Sequence, residues 1–447
     1  MGDCGREPAS RKVVAVADFN VGLVGAGTVG GGVVKIFSRQ ADFFARGLGL
    51  SVALKRIVDK RAKRFEELPV GSATCSGEVE DILRDHDIQI VIELVGGTGF
   101  AKEFILRALA AGKHVITANK ALLALHGPEL FEAAEKNGVS VYFEASVGGG
   151  MPAIKTIREA MIANEIRSVK TIINGTCNYI LTRMEKDNLS FEEALRRAQQ
   201  NGFAEADPTM DIGGGDTGHK VAIMASLLYG GYVPFKKLRI EGLVGISAQD
   251  MAYAEGMGYR LKLLGIIKQS RNGGLDVRVH PAMLPRDHIL ASVSDEFNAV
   301  LLEGDSVGPI LLYGKGAGEF PTASAVVGDV IDVVRNLKSG APQRISMAYY
   351  NVHNEIKLQP FDEITTRYYL RFTVLDKPKV LAPLAAILGD HGISIASVLQ
   401  RETGTEETVP VVMVTHPARE RDLQAAVFEI QKLEVVKEKA QIIRIEE

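Results

Sequence analysis

The segment Phe203–Lys220, FAEADPTMDIGGGDTGHK, gathers Glu205, Asp207, Asp211 and Asp216 around a run of glycines and ends in Lys220. Carboxylates at that density raise the question of a bound ligand, although a solvated acidic loop has the same composition. Pro208 and Gly213–Gly215 interrupt regular helix between Glu205 and Asp216. Asp216 then opens a helical stretch, 217–228, in the place of an N-cap aspartate. Asp216 and Lys220 stand four apart and share a helix face, as a plain cap and its ion-pair partner would. The apolar run VAIMASLLY after Lys220 points instead to a buried helix whose first turn faces a cavity. Burial lowers the pKa of a lysine toward values useful in proton transfer.

A second constellation lies near the N-terminus. FNVGLV, residues 19–24, predicts a strand, Gly25, Gly27 and Gly30 follow in the order G-x-G-x-x-G, and residues 29–37 open a helix. Strand, glycine turn and helix form the context in which a dinucleotide pyrophosphate rests on free helix N–H groups. The next predicted strand, 52–58, ends at Asp59, followed by Lys60, Arg61, Lys63 and Arg64. An acid there suits the ribose hydroxyl of NAD(H), and cations suit the 2′-phosphate of NADP(H). The four cations favour NADP(H), with Arg61 as a cofactor contact, and leave NAD(H) open. Predicted strands 88–94 and 114–117 run into Val95-Gly96-Gly97-Thr98 and Ala118-Asn119-Lys120. Ligands of open α/β sheets collect at such carboxyl ends, which nominates Gly96, Thr98, Asn119 and Lys120.

The elements that must position these groups fall into three units. Strand 139–143 closes the first pattern near residue 145. A helix at 153–163, a strand at 169–173, the turn Asn174-Gly175-Thr176 and helices at 177–186 and 190–201 follow, Ser190 capping the last. From residue 367 the order is strand, helix, strand, strand, helix, strand, which is ferredoxin-like. The expected fold is α/β: a Rossmann-type dinucleotide domain over 13–145, rejoined by about 315–345, and an α+β substrate and dimerisation domain over 146–314. A linker over 346–365 leads to a ferredoxin-like domain over 366–447.

Composition narrows the function. The chain of 447 residues is 46% hydrophobic and 24% charged, ordinary for a globular protein. A net charge of −3 argues against a nucleic-acid partner. No apolar run has the length of a membrane span, and the N-terminus lacks a secretion signal, so a cytoplasmic protein is expected. Cys4, Cys75 and Cys177 are too few and scattered for a disulfide framework or a zinc site.

Taken together, GLVGAGTVGGGV, VIELVGG, GKHVITANKALLA, FEASVGGGMP, NGTCNYIL, GFAEADPTMDIGGGD and YGKGAGEFPTASAVVGD resemble homoserine dehydrogenase, from about Val16 to Leu337. The resemblance implies NAD(P)-dependent interconversion of L-aspartate 4-semialdehyde and L-homoserine. It implies that Gly25, Ala26, Gly27, Thr28 and Val29 wrap the pyrophosphate, with Gly30 packing beneath and Gly316 and Gly318 near the nicotinamide. Lys220 would be the acid/base lysine and Lys120 the second active-site lysine. Glu205 and Asp211 would pair with the substrate ammonium, Asp216 would hold Lys220 or the substrate, and Gly175 and Thr176 would line the pocket. A monovalent cation, Na⁺ or K⁺, would sit on the Glu144 side chain and the carbonyls of Val147, Gly149 and Met151, a ligand set unlike that of a transition metal. A homodimer or homotetramer is implied as well. Phe203 is a departure, since relatives often carry Tyr there.

The C-terminal unit resembles the ACT domain, a module that often binds amino acids. Asp376-Lys377-Pro378-Lys379-Val380-Leu381 falls at its usual ligand turn. Lys379 replaces the common glycine, so an L-threonine effector and a purely assembling module both remain open. Two rival readings are an amino-acid sensor that lost its chemistry and a semialdehyde dehydrogenase that forms an acyl phosphate. Lys120 and Lys220 argue against the first. The second needs an activated cysteine, and Cys177 has no histidine partner motif.

Overall fold

Short apolar strands alternating with amphipathic helices build a parallel sheet, because each crossover returns the chain in the same direction. The computed structural model describes residues 18–270, 273–341, 351–400 and 407–447. The expected start of the first domain at 13 and the linker's first residues, 346–350, lie outside the described residues.

The first unit comprises β1 (Phe19–Val24), α1 (Thr28–Asp42), β2 (Val52–Val58), β3 (Thr74–Ser76), β4 (Ile88–Glu93), α2 (Phe100–Ala110), β5 (His114–Thr117), α3 (Lys120–Lys136) and β6 (Val141–Tyr142). Its parallel sheet runs β3-β2-β1-β4-β5-β6, the order of a dinucleotide-binding fold. One face is covered by Phe104, Ile105 and Leu109 of α2, and the other by Val33, Val34 and Phe37 of α1.

The second unit contributes β7 (Ile166–Ile172), α4 (Gly175–Asp187), α5 (Phe191–Gln200), α6 (Gly215–Tyr229), α7 (Ala248–Gly256), β8 (Tyr259–Gln269), β9 (Leu275–Pro285), β10 (Phe297–Gly304) and β11 (Gly308–Lys315). Helix α8 (Glu319–Lys338) then returns to the first unit. It lies on α1 so closely that a Cβ on Gly32 would stand 2.8 Å from the Glu319 carbonyl oxygen. The expected helix over 153–163 is regular only at Ala153–Lys155; the next turn widens, with the Met161 N–H reaching Thr156 O.

The last unit is β12 (Thr365–Leu375), α9 (Leu381–Asp390), β13 (Ile395–Gln400), β14 (Thr408–Thr415), α10 (Glu420–Ile430) and β15 (Gln441–Ile445). It does not stand apart. Strand β15 pairs in parallel with β9, Ala282 opposite Arg444 and Met283 opposite Ile445. The main path of one mixed sheet thus reads β11-β10-β7-β8-β9-β15-β12-β14-β13. Buried ion pairs cross this seam. Arg444 is 2% exposed and donates to Glu420 of α10 and to Glu241 of the second unit, at 2.6 and 2.7 Å. Arg278 reaches Glu446 at 2.7 Å, and Arg371 and the Tyr369 hydroxyl both donate to Asp250 in the first turn of α7. Among the described residues no helix is long and apolar enough to cross a membrane.

Truncating one partner of such a buried network leaves the others uncompensated. Arg444→Ala is therefore expected to destabilise the protein by about 3–5 kcal/mol, read as a lower urea midpoint. An unchanged midpoint would mean that the pairs across the seam contribute nothing net.

Candidate active site

The glycine turn between β1 and α1 is shaped by backbone needs that only glycine meets. Gly25 holds φ 97°, and a Cβ on Gly30 would fall 1.9 Å from the Gly25 carbonyl oxygen. Gly27 meets only the Arg61 guanidinium, 3.7 Å from its Cβ position, so that face is open. Asp59, at the end of β2, braces the turn: its Oδ2 accepts the Ala26 N–H at 2.8 Å. Arg61 donates Nε to Asp59 Oδ1 and Nη2 to Oδ2, both at 2.9 Å. The Arg61 side chain foremost, then the Arg61 and Ala26 amides, outweigh burial and hold Asp59 down at about 2. Arg64 donates Nε to Ala26 O at 3.1 Å. Two guanidiniums therefore border the turn, while the aspartate beneath them is already engaged.

At the ends of β4 and β5 a buried carboxylate does the joining. Glu93 accepts the Val95 and Gly96 N–H groups at 2.8 and 3.0 Å and the Thr117 hydroxyl at 2.7 Å. The Asn119 side chain donates to Gly97 O at 2.7 Å and accepts from Leu122 N, capping α3. These bonds set Lys120 on the first residue of α3, facing the second unit.

There Asp216 is the meeting point. Lys220 Nζ donates to Asp216 Oδ2 at 2.6 Å and to Ile173 O at 2.7 Å. Lys120 Nζ lies 3.2 Å from Asp216 Oδ1. Asn174 donates Nδ2 to Asp216 Oδ2 at 2.8 Å and to Asp211 Oδ1 at 2.7 Å. Helix α6 begins two residues earlier than the N-cap reading places it: Gly214, at φ 81°, is the cap, and Asp216 lies inside the first turn. The expected loop between Pro208 and the glycines contains one helical turn, Thr209–Ile212.

Electrostatics follow from burial and this geometry. Burial pulls Lys220 below the ordinary 10.5, against the opposing charge of Asp216. Burial would push Asp216 up, but the Lys220 and Lys120 charges win and hold it well below the usual carboxylate range. Asp211 is pushed up, by burial first and by Asp216 also.

A cleft of about 820 Å³ lies between the units. Its wall takes in Val29, Lys120, Gly149, Gly175, Thr176, Glu205, Asp211, Asp216, Lys220, Gly316 and Gly318. Gly25, Ala26, Gly27, Thr28, Arg61, Gly96, Thr98 and Asn119 sit at the carboxyl ends of the parallel sheet, outside that lining, and Gly30 is buried beneath Gly25. Asp207 accepts from Thr209 N and its hydroxyl as a local turn. Phe203 packs on Tyr179 with its ring tilted by 35° and the centroids 4.7 Å apart, and its carbonyl accepts from Thr176 Oγ1. Cys177 is buried, with its thiol pushed well up, as suits packing and not nucleophilic attack.

The Glu144–Met151 segment lies at the joint of the two units. Both Glu144 oxygens accept backbone N–H groups, from Ile154 at 2.9 Å and Lys155 at 2.8 Å. Its own N–H donates to the buried Asp329 of α8 at 2.9 Å. Burial pushes Glu144 up to about 7. Among the described residues the Val147 and Gly149 carbonyls have no hydrogen-bond donor, and Met151 O accepts only the Ala153 N–H. Those carbonyls fit a weakly held monovalent cation. Glu144 could add one further lone pair to it. Among the described residues no cluster of His, Cys, Asp and Glu fits a metal ion.

Sequence reasoning missed Glu93 and the amide of Asn174 as organising groups. The signals were a glutamate at a strand end within VIEL and an asparagine directly before a helix that opens Gly-Thr.

A dinucleotide fold facing a cleft lined by carboxylates and a buried lysine is the arrangement of a nicotinamide-dependent oxidoreductase. Comparison with known proteins makes the class specific. Residues 25–144 match the homoserine dehydrogenase NAD-binding domain, 152–331 homoserine dehydrogenase itself, and 368–435 the ACT domain. The homoserine dehydrogenase of Neisseria gonorrhoeae is 40% identical over 96% of this chain and 98% of its own. That of Synechocystis is 41% identical over 95% and 99%. The crystal structure of a homoserine dehydrogenase from Thiobacillus denitrificans superposes with a TM-score of 0.91 at 40% identity, covering 96% and 98% of the two chains. The chain belongs to the homoserine dehydrogenase family and is an NAD(P)-dependent enzyme interconverting L-aspartate 4-semialdehyde and L-homoserine.

Since a Cβ at position 30 collides with the Gly25 carbonyl, Gly30→Ala should displace the turn at a cost of about 1–3 kcal/mol in stability and weaken cofactor binding. Fluorescence titration with NADPH measures this; wild-type affinity would show that the turn yields freely.

Proposed function

We propose that Lys220 is the proton donor of this homoserine dehydrogenase, held by Asp216 and aimed into the cleft where the substrate lies. The observation that carries this is the buried Lys220–Asp216 bond of 2.6 Å in the wall of the cleft between the units. Bound NAD(P)H supplies the hydride that the aldehyde carbon receives. Lys220 gives a proton from its ammonium to the carbonyl oxygen, so aldehyde becomes alcohol and the lysine is left neutral until solvent reprotonates it. Asp216 offsets the desolvation of the charged lysine and keeps its Nζ oriented. Glu205 and Asp211 take the substrate ammonium, Gly175 and Thr176 shape the floor, and Lys120 stands between substrate and cofactor. In the reverse direction Lys220 begins neutral and accepts the hydroxyl proton.

NADP(H) is the preferred cofactor in this reading. Support comes from Arg61 and Arg64 beside the turn and from the prior engagement of Asp59, which leaves it little capacity for a ribose hydroxyl. A monovalent cation, Na⁺ or K⁺, would brace the joint at Glu144, Val147, Gly149 and Met151. In this reading the dinucleotide unit spans 13–145 with about 315–345, the substrate unit 146–314 and the ACT unit 366–447 after a linker over 346–365, and the cytoplasm is the site of action. A homodimer or homotetramer would form through the substrate unit, where edge strand β11 carries the exposed Tyr313.

L-Threonine is the proposed effector at the ACT turn 376–381. Lys379 holds φ 71°, the backbone conformation a glycine would adopt there, so the turn keeps its shape despite the side chain.

Lys220→Ala is expected to lower turnover of L-aspartate 4-semialdehyde by about 10²–10⁴-fold, followed as NADPH absorbance, while NADPH still binds. A variant with wild-type turnover would remove the lysine from the chemistry. Calorimetric titration with L-threonine should release heat at millimolar ligand or below, and a flat trace would leave the ACT domain an assembly module.

A further inference from the structure

Asn174 is 5% exposed, yet every hydrogen-bonding capacity it has toward the site is in use. Its Oδ1 accepts the Cys177 N–H at 2.8 Å and caps α4. One Nδ2 hydrogen goes to Asp211 at 2.7 Å and the other to Asp216 at 2.8 Å. The two carboxylates it bridges have different partners: Asp216 is bonded to Lys220 and lies beside Lys120, and Asp211 has neither lysine within bonding distance. Two carboxylates this close repel, and burial strengthens the repulsion. A neutral double donor between them stabilises both in ionised form without adding charge. No other side chain of that length has two donors and one acceptor. Aspartate has no donor when ionised, and serine caps a helix with a single oxygen.

We infer that Asn174 is a positioning residue for the reaction: it assigns Asp211 to the substrate ammonium and Asp216 to the proton donor, fixing the spacing between them. The inference rests on the reading of Lys220 given above. It links substrate binding to proton delivery, because one amide plane sets both carboxylates, and the same residue starts the helix that carries Gly175 and Thr176 to the cleft. The groups facing Lys220 are Asp216 on its own helix, Lys120 from α3, Asp211 from the 209–212 turn, the neighbouring His219 and the Cys177 thiol of α4.

Three variants of the full chain test this, assayed for L-homoserine oxidation with NADP⁺ across pH. Asn174→Ser retains a helix cap and loses the double donor. It should raise KM for L-homoserine about tenfold or more, the equivalent of about 1.4 kcal/mol, with KM for NADP⁺ nearly unchanged. Asn174→Asp retains the cap and adds a third carboxylate. It should move the rising limb of the pH–rate profile upward by about 1–3 units, because added negative charge raises the pKa of Lys220. If both variants keep the wild-type KM and limb, or lose kcat equally with no shift of the limb, Asn174 is a cap only and the inference fails. Lys220→Ala, run alongside, separates the two readings. If it retains turnover, the proton-donor reading fails. If it is inactive while the Asn174 variants behave as wild type, only the role of Asn174 falls.

Discussion

Everything in the cleft is arranged around one buried carboxylate. Asp216 sits 2.6 Å from Lys220 and 3.2 Å from Lys120, with the Asn174 amide on the same side as Lys220. A lone carboxylate at 6% exposure would be costly to ionise. Two ammonium groups and an amide make the ion the stable form, and the ion in turn favours the charged form of the buried lysine against its desolvation. The constraint is geometric as well as electrical. Lys120 comes from the dinucleotide unit and Lys220 from the substrate unit, so the carboxylate also joins the two bodies that bind the two reactants.

The surrounding fold holds that point still from several directions. Glu93 ties the loops after β4 and β5 and so sets the start of α3. On the far side, the Leu243 N–H donates to Ile212 O at 2.8 Å, next to Asp211. Gly242 lies so close that a Cβ would stand 2.1 Å from the same oxygen. Glu241, one residue earlier, is the partner of Arg444 on the last strand of the ACT unit. The acidic turn is therefore separated from the ACT sheet by a few rigid bonds. This reflects the parallel pairing of β9 with β15, which makes substrate and ACT units parts of one sheet.

Much of this was legible from residues alone, for identifiable reasons. The glycine spacing at 25, 27 and 30 has a meaning only between a strand and a helix, and β1 and α1 flank it. The strand–helix order after residue 367 reproduced a ferredoxin-like sheet because local periodicity specifies each element there. The cap of α6 was misread because Asp216 has a cap's composition, whereas Gly214 supplies the positive φ that the turn requires. Asn174 and Glu93 were invisible as organisers, since their partners lie far away in sequence and local pattern carries no record of them. The continuity of the sheet across the ACT boundary was hidden for the same reason. A strand's alternation shows which face is buried but not which distant edge it meets. Glu144 gave a partial picture: the family resemblance implies a cation at EASVGGGM, and the two backbone amide donors to its carboxylate appear only in three dimensions.

The most direct measurement is the pH dependence of both directions of the reaction on one protein, L-homoserine oxidation with NADP⁺ and L-aspartate 4-semialdehyde reduction with NADPH. If Lys220 is the proton-transfer group, oxidation needs it neutral and reduction needs it charged. A single ionisation, displaced below the ordinary lysine value of 10.5 by burial, should then raise the rate of oxidation and lower that of reduction as pH increases. Profiles that rise or fall together, or that show no ionisation in this range, would contradict the account.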